Sequence, residues 1–276
     1  MLAIGKKNKL FVQKKVDFGV YLDGGEYGEI LLPTRYVPEE CTLNQEIEVF
    51  IYFDSEDRII ATTEEPKAQV GEFAFMNCVA VNRFGAFLDW GLMKDLLVPF
   101  REQEQKLEEG KGYVVKVYLD DESNRIAASA KIYRYINPVP PMFEKGEEVE
   151  ALICEETEIG YKCIVNNSYW GMFFKNEVFK PLHIGDKVGA FVKQVREDGK
   201  IDLSLEKLGY EKVDSISQLI LDKLSANDGF LPLNDKSPSE EISETFGISK
   251  KNFKKAIGGL YKDRIISIEK DGIRLI

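Results

Sequence analysis

The sequence predicts a mainly β protein, in which three small five-stranded β-barrels are followed by a C-terminal module of helices and a β-hairpin. Three stretches share one plan of short strands, and their apolar residues alternate with polar ones at the period of two that is typical of half-buried strands. From about residue 210 the apolar spacing changes to the 3.6-residue period of helices. We therefore expect four domains, at residues 1–66, 67–136, 145–208 and 210–276.

A glycine step near the start of each β stretch relates the three stretches as repeats. The steps are Phe18-Gly19-Val20-Tyr21, Phe84-Gly85-Ala86-Phe87 and Ile159-Gly160-Tyr161-Lys162. An apolar run follows each step, and the three runs are Ile30-Leu31-Leu32-Pro33, Leu96-Leu97-Val98-Pro99 and Met172-Phe173-Phe174-Lys175. About five short strands per repeat predict small closed barrels. A glycine within a strand indicates a bulge or sharp bend, which would turn Phe84 and Phe87 to the same face.

The C-terminal module begins with a helix whose apolar face is formed by Ile216, Leu219, Ile220 and Leu224. A second helix is expected to be capped by Ser237 or Ser239 and to end at Gly247, and a third helix is expected to begin at Ser249. The Asp271-Gly272 step between two alternating runs predicts a hairpin. Three helices and a hairpin in this order are typical of a winged helix-turn-helix domain, so the module is expected to be α/β.

Composition and motifs disfavour membrane proteins, metalloproteins and enzymes. No stretch approaches the roughly 18–20 apolar residues of a membrane span, and the N-terminal MLAIGKKNKLFVQKK has no apolar core of a signal peptide, so a cytoplasmic protein is expected. The four cysteines form no CxxC pair and His183 is the single histidine, so we expect no metal site. No glycine-rich phosphate loop, GxSxG or HExxH occurs, and we expect no cofactor and no catalysis.

The net charge of −10 is unevenly distributed. Residues 1–70 carry −5, residues 71–140 carry −1, residues 141–207 carry −4, and residues 208–276 are neutral. Strong, unselective binding of polyanions is therefore disfavoured, because nucleic-acid-binding proteins usually carry a basic surplus. A local site that depends on stacking of bases rather than on bulk charge remains open.

Two aromatic pairs recur at the glycine step, Phe18 with Tyr21 and Phe84 with Phe87. Exposed rings on a barrel face give unpaired bases a surface to stack on, whereas a phenylalanine taken alone is more often a core residue. A charged pair also recurs later in the same repeats, Asp54 with Arg58 and Asp121 with Arg125. Arginine contacts phosphate or stacks on a base, and a carboxylate orients the arginine or accepts from a base edge. These recurrences favour the binding interpretation over the core interpretation.

These residues resemble the ribosomal-protein S-one type of OB-fold domain, which binds RNA. Its landmarks are an aromatic-Gly-x-aromatic step, a Gly-Leu-Val-His-type segment, and a late Asp and Arg before a closing Ile-x-Leu-Ser. The first two repeats have the aromatic step and the late pair. The family's His is absent from all three repeats. Pro33 and Pro99 occupy its position in the first two, and Lys175 occupies it in the third. The third repeat also has Ile159 and Lys162 in place of the aromatics, so it is expected to contribute least to RNA binding.

A basic stripe follows the third C-terminal helix, formed by Lys250, Lys251, Lys254 and Lys255. These spacings place the four side chains along one strip of a helix. In a winged helix this is the recognition helix, so a contact to phosphate or a DNA groove is one interpretation. A solvated face opposite the apolar residues is the other.

Together with the three repeats, the segment PSEEISETFGISKKNFKKAIGGLYKDRI resembles the CvfB (conserved virulence factor B) family of bacterial regulators over essentially the whole chain. The resemblance implies three S-one type domains, a winged helix, RNA binding, an effect on gene expression and no catalytic activity.

The sequence thus predicts a regulatory protein that binds single-stranded RNA, with no membrane partner. Its strongest site is expected in the second repeat, which is the least acidic barrel and adds Arg83 and Arg101 to the aromatic step. Two alternatives stay open: a protein-interaction scaffold, for example on the ribosome, and a DNA-binding regulator that acts through the winged helix.

Overall fold

The structure is a computed structural model that describes residues 2–178, 181–205 and 215–276. The chain divides into two compact units, Met1–Lys207 and Leu208–Ile276. The predicted fold class is confirmed, since the first unit contains three five-stranded barrels and the second is a winged helix. The boundary expected between residues 208 and 210 lies outside the described residues.

The fifteen strands of the first unit fall into three sets of five within the described residues. The first barrel contains β1 (Lys7–Val16), β2 (Gly19–Asp23), β3 (Glu29–Pro33), β4 (Glu46–Phe53) and β5 (Ile59–Thr62). The second contains β6 (Phe73–Asn82), β7 (Gly85–Leu88), β8 (Leu96–Pro99), β9 (Gly112–Leu119) and β10 (Ile126–Ser129). The third contains β11 (Glu148–Glu156), β12 (Gly160–Val165), β13 (Tyr169–Phe174), β14 (Lys187–Val195) and β15 (Ile201–Ser204).

All three sets share one topology. The first and third barrels close through a short parallel pairing, of β3 with β5 at Leu31 and Ile60, and of β13 with β15 at Gly171 and Ile201. The second has the same strand order, and β8 and β10 lie side by side at its ends. Single-turn 3-10 helices follow or join several strands, at Gly25–Tyr27, Thr34–Tyr36, Phe100–Glu102, Ile132–Tyr135 and Lys175–Glu177.

The expectation that the glycine step is a bulge is wrong. The bulges lie on the preceding strand, between Val12 and Lys14 in the first barrel and between Cys78 and Ala80 in the second. The glycine instead permits a close approach of backbones, because a Cβ on Gly85 would lie 2.2 Å from the carbonyl oxygen of Val98. Gly85 also has φ +151°, which side chains rarely adopt.

The barrels pack against their neighbours in the first unit. Between the first and second barrels, the rings of Phe50 and Trp90 meet edge to face at 5.5 Å, and Trp90 Nε1 donates to the carbonyl of Ala68 at 2.8 Å. Between the second and third, a buried cluster joins Phe73 and Val114 to Leu152 and Ile164. These apolar contacts hold the three barrels as one unit.

The second unit contains three α-helices within the described residues, α1 (Ser215–Ser225), α2 (Ser239–Phe246) and α3 (Lys250–Lys262). Three strands, β16 (Phe230–Leu231), β17 (Ile266–Ile268) and β18 (Ile273–Leu275), pair in the order β16-β18-β17. The predicted hairpin is therefore present, and the two-residue β16 extends it. None of the described helices is long and apolar enough to cross a membrane.

Helix ends in the second unit follow the sequence signals in two of three cases. Ser249 caps α3 by accepting from the backbone N–H of Asn252, and Gly247 ends α2 in the left-handed conformation. The predicted capping of α2 by Ser237 or Ser239 is wrong, because Pro238 occupies the cap position. The Ser237 hydroxyl instead accepts from the N–H of Asn234, which satisfies the turn before the helix.

Candidate nucleic-acid interface

A groove of about 500 Å³ lies between the first barrel and the outer face of the second. It brings together three of the predicted binding residues, Phe84, Phe87 and Arg125. The first barrel contributes Phe53, Ser55 and Asp57, and the remaining lining residues of the second barrel are Trp90, Lys94, Asp95, Leu96, Leu97, Pro99, Asp120, Ser123, Ile126 and Ala127.

The two rings reach the groove from different local structures. Phe84 lies in the turn between β6 and β7, where the Asn82 side chain accepts from its N–H at 2.8 Å, and the residue is 57% exposed. Phe87 lies in β7 opposite Leu97 and is half-buried. Its neighbours Ala86 and Leu88 point into the core, so alternation along the strand turns Phe87 outward. Neither ring is a fully buried core residue.

Two cations of the second barrel, Arg125 and Lys94, border the rings. Both cations contact one carboxylate of the first barrel, that of Asp57. Arg125 forms an ion pair with Asp57. Lys94 Nζ lies 3.6 Å from the same carboxylate and donates to the carbonyl oxygen of Asp54 at 2.6 Å. A third cation, Arg83, lies with its guanidinium 4.8 Å from the centre of the Phe84 ring. Cations beside exposed rings suit a ligand that carries both bases and phosphates.

The late charged pair differs between the two barrels. In the first, Asp54 accepts from Arg58 at Nε (2.8 Å) and Nη2 (2.7 Å), as the sequence predicts. In the second, the counterpart of Asp54 is Asp120 rather than Asp121, because the backbone N–H of Asp120 donates to the carbonyl of Arg125 as that of Asp54 does to Arg58. Asp121 is exposed, and within the described residues its side chain has no ion pair.

Both turn aspartates are held in the ionised form. Burial raises the pKa of Asp54, but hydrogen bonds from the backbone and side chain of Arg58 lower it further, so the pKa lies below its usual value. Burial also raises the pKa of Asp120. The backbone N–H groups of Ser123 and Glu122 and the guanidinium of Arg101 lower it by more, so the pKa of Asp120 also lies below its usual value. These carboxylates therefore organise their turns and are not proton donors at neutral pH.

The other predicted residues lie outside the groove lining. Arg101 is paired with Asp120 and Glu122 of the β9–β10 turn. In the first barrel, Phe18 is 57% exposed and its ring meets that of Tyr21 edge to face at 6.3 Å. Lys14 Nζ lies 4.6 Å from the centre of the Tyr21 ring, so this barrel has its own small patch of rings and one cation.

Comparison with known protein families assigns both kinds of domain. The S1 domain family matches residues 4–64 and 70–131, and the CvfB-like winged helix domain family matches residues 218–275. Conserved virulence factor B of Staphylococcus aureus is 30% identical over 244 residues, which cover 86% of this chain and 81% of that protein. The chain belongs to the conserved virulence factor B family. The S1 and winged helix domains indicate nucleic-acid binding, and neither is an enzyme family.

A second curated relative and one solved structure align with this CvfB family member over nearly its full length. Conserved virulence factor B of Staphylococcus epidermidis is 30% identical over 266 residues, covering 92% of this chain and 89% of that protein. The solved structure is described as a crystal structure of a multidomain protein with nucleic acid binding domains from Streptococcus pneumoniae. Its chain is 26% identical to this one, the match covers 99% of this chain and 98% of the solved chain, and the TM-score is 0.44.

In the third barrel of this CvfB family member, the register corrects the sequence alignment by one residue. Pro33 pairs with Gly19 in the first barrel, and Phe174 pairs with Gly160 in the third. The counterpart of Pro33 is therefore Phe174 and not Lys175. Phe174 is half-buried, and the guanidinium of Arg196 lies 5.5 Å from the centre of its ring. Lys162 Nζ similarly lies 4.0 Å from the centre of the Trp170 ring. Sequence reasoning missed these rings because neither belongs to the aromatic-Gly-x-aromatic step.

The predicted lysines of the CvfB-like winged helix lie at the start of α3. Lys251, Lys254 and Lys255 are exposed, whereas Lys250 is half-buried and its Nζ donates to the carbonyl of Lys236 at 3.3 Å. Lys254 Nζ is 4.0 Å from Asp235, so one acid from outside the helix approaches the stripe. Lys250 and Lys251 lie in the first turn of α3, where cations oppose the helix dipole, so their charges do not stabilise α3 through that dipole.

Metal and thiol chemistry have no organised site in the part of the chain that the structure describes. No group of three or more histidine, cysteine, aspartate or glutamate side chains there is arranged to hold a metal ion. The four cysteines are free thiols, and burial raises the pKa of Cys154 to about 12. A thiol with so high a pKa is a poor nucleophile.

Proposed function

We propose that this protein is a non-enzymatic regulator of bacterial gene expression that binds single-stranded RNA, with its principal site in the groove between the first two barrels. The observation that carries the proposal is the convergence of Phe84, Phe87 and Arg125 on one groove, at the surface of domains that match the S1 family. The regulatory role rests on the relatives named conserved virulence factor B.

The groove suits unpaired bases better than a duplex. Stacking on Phe84 and Phe87 requires base faces, which a duplex buries between neighbouring base pairs. Arg125, Lys94 and Arg83 border the rings at positions where they can contact the phosphates of the same strand. Each stacked base is worth roughly 1–3 kcal/mol, so two rings can outweigh the unfavourable overall charge.

The charge distribution supports the same site. Residues 71–140, which hold both rings, carry a net charge of only −1, whereas the flanking segments carry −5 and −4. A phosphate therefore meets the least repulsion at the second barrel. A purely electrostatic mode of binding would need a large basic face, and its affinity would fall steeply with salt.

The experiment is a salt titration of affinity for three labelled ligands: a uridine-only single strand, an RNA duplex and a DNA duplex. We expect the single strand to bind most tightly and with a shallow salt dependence. Arg125→Ala should weaken that binding several-fold, while Arg134→Ala, which removes an exposed arginine outside the groove, should not. Equal or tighter binding of the DNA duplex would contradict the proposal and favour the winged helix as the principal site.

We further propose that the exposed lysines of α3 form a second nucleic-acid contact. The supporting observation is that Lys251, Lys254 and Lys255 are exposed on a helix whose first turn has no acidic residue, whereas the first turn of α2 carries Glu240 and Glu241. Acidic residues at the start of α2 disfavour the usual docking of a helix-turn-helix on duplex DNA, in which the first of its two helices crosses the phosphate backbone. A contact to a single strand along α3 alone avoids that repulsion.

A further inference from the structure

The first barrel has a free strand edge at the beginning of β1. Val12 donates to the carbonyl of Gln45 and accepts from the N–H of Asn44, so its backbone groups face the β4 side. Because backbone groups alternate in direction along a strand, the N–H and C=O of Lys9 face away from β4. The N–H of Lys7 faces the same way and donates to the Gln69 side chain at 2.8 Å. On that side β2 ends at Asp23 and the chain turns away.

The turn that follows β2 does not satisfy this edge. The N–H of Gly24 donates to the carbonyl of Gly28 at 2.8 Å, so the turn closes on itself. Among the described residues, no hydrogen bond joins the main chain of Lys9 to the turn. An exposed strand edge with unpaired backbone groups is a site where another strand can add.

The same edge is occupied in the other two barrels. The bulges align Lys9 with Phe75 in the second barrel and with Glu150 in the third. The N–H of Glu150 donates to Asn166 Oδ1 at 2.8 Å, and its carbonyl accepts from the N–H of Asn166 at 2.9 Å. Peptide and amide groups are therefore what this edge binds in the third barrel.

In the second barrel, residues of the third cover the edge. The N–H of Phe73 donates to Asn167 Oδ1 at 2.9 Å, and the Phe75 side chain packs in the cluster that joins the two barrels. In the first barrel the corresponding edge instead borders a groove of about 510 Å³. Two exposed rings line this groove, Phe11 on the edge strand and Tyr27 on the turn, at 53% and 49% exposure.

We infer that the free edge of β1 binds an extended, basic peptide of a partner protein, which adds a short strand beside Lys9 and packs its side chains on Phe11 and Tyr27. Main-chain hydrogen bonds would supply affinity, as in other strand additions, and the rings would select apolar side chains at alternate positions. The inference does not depend on the proposed RNA site, whose groove is lined by different residues.

Charge favours a basic peptide over RNA as the occupant. Asp23 and Glu26 are exposed and line the groove together with one cation, Lys9, so the lining carries a net charge of −1. Residues 1–70 carry a net charge of −5, the most negative segment of the chain. Phosphates would be repelled from this groove, whereas lysine or arginine side chains that flank an added strand would be attracted.

The test uses the full chain and a labelled peptide of alternating arginine and valine. We expect this peptide to slow hydrogen exchange of the Lys9 amide by at least about tenfold, because the added strand accepts from that N–H. An analogue N-methylated on alternate backbone nitrogens, and one with glutamate in place of arginine, should each bind at least about tenfold more weakly. Equal binding of the N-methylated analogue would overturn the proposal.

Two variants locate the peptide, each with a matched control on the same barrel. Phe11→Ala and Glu26→Lys should each weaken peptide binding at least about fivefold. Leu43→Ala and Glu39→Lys, which alter exposed residues outside the groove, should leave it unchanged. Absence of Lys9 protection by the alternating peptide would overturn the proposal, and so would protection of Lys9 by a uridine-only single strand, which would make the groove a nucleic-acid site.

Discussion

Asp57 of the first barrel forms an ion pair with Arg125 of the second, across the groove that holds the two predicted stacking rings. Asp57 lies in the β4–β5 turn with φ +61°, and its other carboxylate oxygen is 3.6 Å from Lys94 Nζ. One carboxylate therefore neutralises two cations that border the groove. A phosphate that enters the groove must compete with this carboxylate for both of them.

Removing that carboxylate should strengthen RNA binding. Asp57→Asn keeps a residue type that tolerates positive φ, so the turn should persist. The change removes the ionic partner that competes with phosphate for Arg125 and Lys94. Because this partner is half-exposed, each of its ion pairs contributes about 0.2–1 kcal/mol. We expect the affinity for single-stranded RNA to rise by about two- to fivefold, with a steeper salt dependence, as measured by fluorescence anisotropy.

Glu104→Gln is the control for this change, since it removes the charge of an exposed acid outside the groove. It should leave affinity nearly unchanged. A similar gain in both variants would show that overall charge, rather than release of Arg125, sets the affinity.

The two rings of the second barrel should separate binding from stability. Phe84 is 57% exposed, so Phe84→Ala should cost about 1–3 kcal/mol of RNA binding with almost no change in the melting temperature. Phe87→Ala should cost a similar free energy of RNA binding. Because Phe87 is half-buried, its loss of stability should be smaller than the roughly 3–5 kcal/mol that is typical of a core phenylalanine.

Tyr133→Ala, an exposed ring outside the groove, is the control for both changes. Unchanged RNA affinity of folded Phe84→Ala and Phe87→Ala would refute the stacking role of the aromatic step.

The fold was predictable because its signals are local and repeated. Period-two alternation marked the strands, and the capping Ser249 and terminal Gly247 marked the helix ends. The two-residue β16 was missed because two residues carry no periodicity. The bulges were misplaced because a glycine that permits close backbone approach has the same sequence signature as one that permits a bend.

The candidate site was predictable only in part. The aromatic step was found from its recurrence, but Asp121 was chosen over Asp120 because the β9–β10 turn is one residue longer than its counterpart in the first barrel. Asn124, with φ +54°, lies within this longer turn. Asp57 and Lys94 were missed because their roles depend on how two barrels pack, for which the sequence has no local signal.

The register of the third barrel predicts a role for Phe174 in RNA binding. Its ring takes the outer-face position opposite the glycine, beside Arg196, so it offers a stacking surface that the aromatic step lacks here. Phe174→Ala should therefore weaken binding of single-stranded RNA by about three- to tenfold. The measurement is affinity of the full chain, with Phe143→Ala as a control half-buried ring of the same barrel. Unchanged affinity in Phe174→Ala would show that this ring does not stack on RNA.

Acid should weaken the second barrel through Asp120. Its pKa is lowered in the folded state, so its contribution to stability is complete above the usual value of about 3.9 and is lost as the pH falls through the lower folded value. Asp120→Asn retains an acceptor for the N–H groups of Ser123 and Glu122 but loses the charge that pairs with Arg101. We expect a loss of about 1–3 kcal/mol in urea unfolding near neutral pH, which shrinks in strong acid. A loss that is independent of pH would contradict this account.

The lysines of α3 give the last prediction, which tests the winged helix as a second nucleic-acid contact. Lys251 and Lys255 are exposed one helical turn apart, so the double change Lys251→Ala and Lys255→Ala removes two cations from one face without touching the buried Phe253 or Ile257. Stability should change by less than about 0.5 kcal/mol, because the change is confined to the surface. Affinity for single-stranded RNA should fall several-fold, and the slope of log affinity against log salt should decrease by roughly 0.7 for each lysine that contacts a phosphate. Lys223→Ala with Lys270→Ala removes the same charge from elsewhere in this unit and should leave the slope unchanged. An unchanged slope in the α3 variant would show that these lysines form a solvated helix face and contact no phosphate.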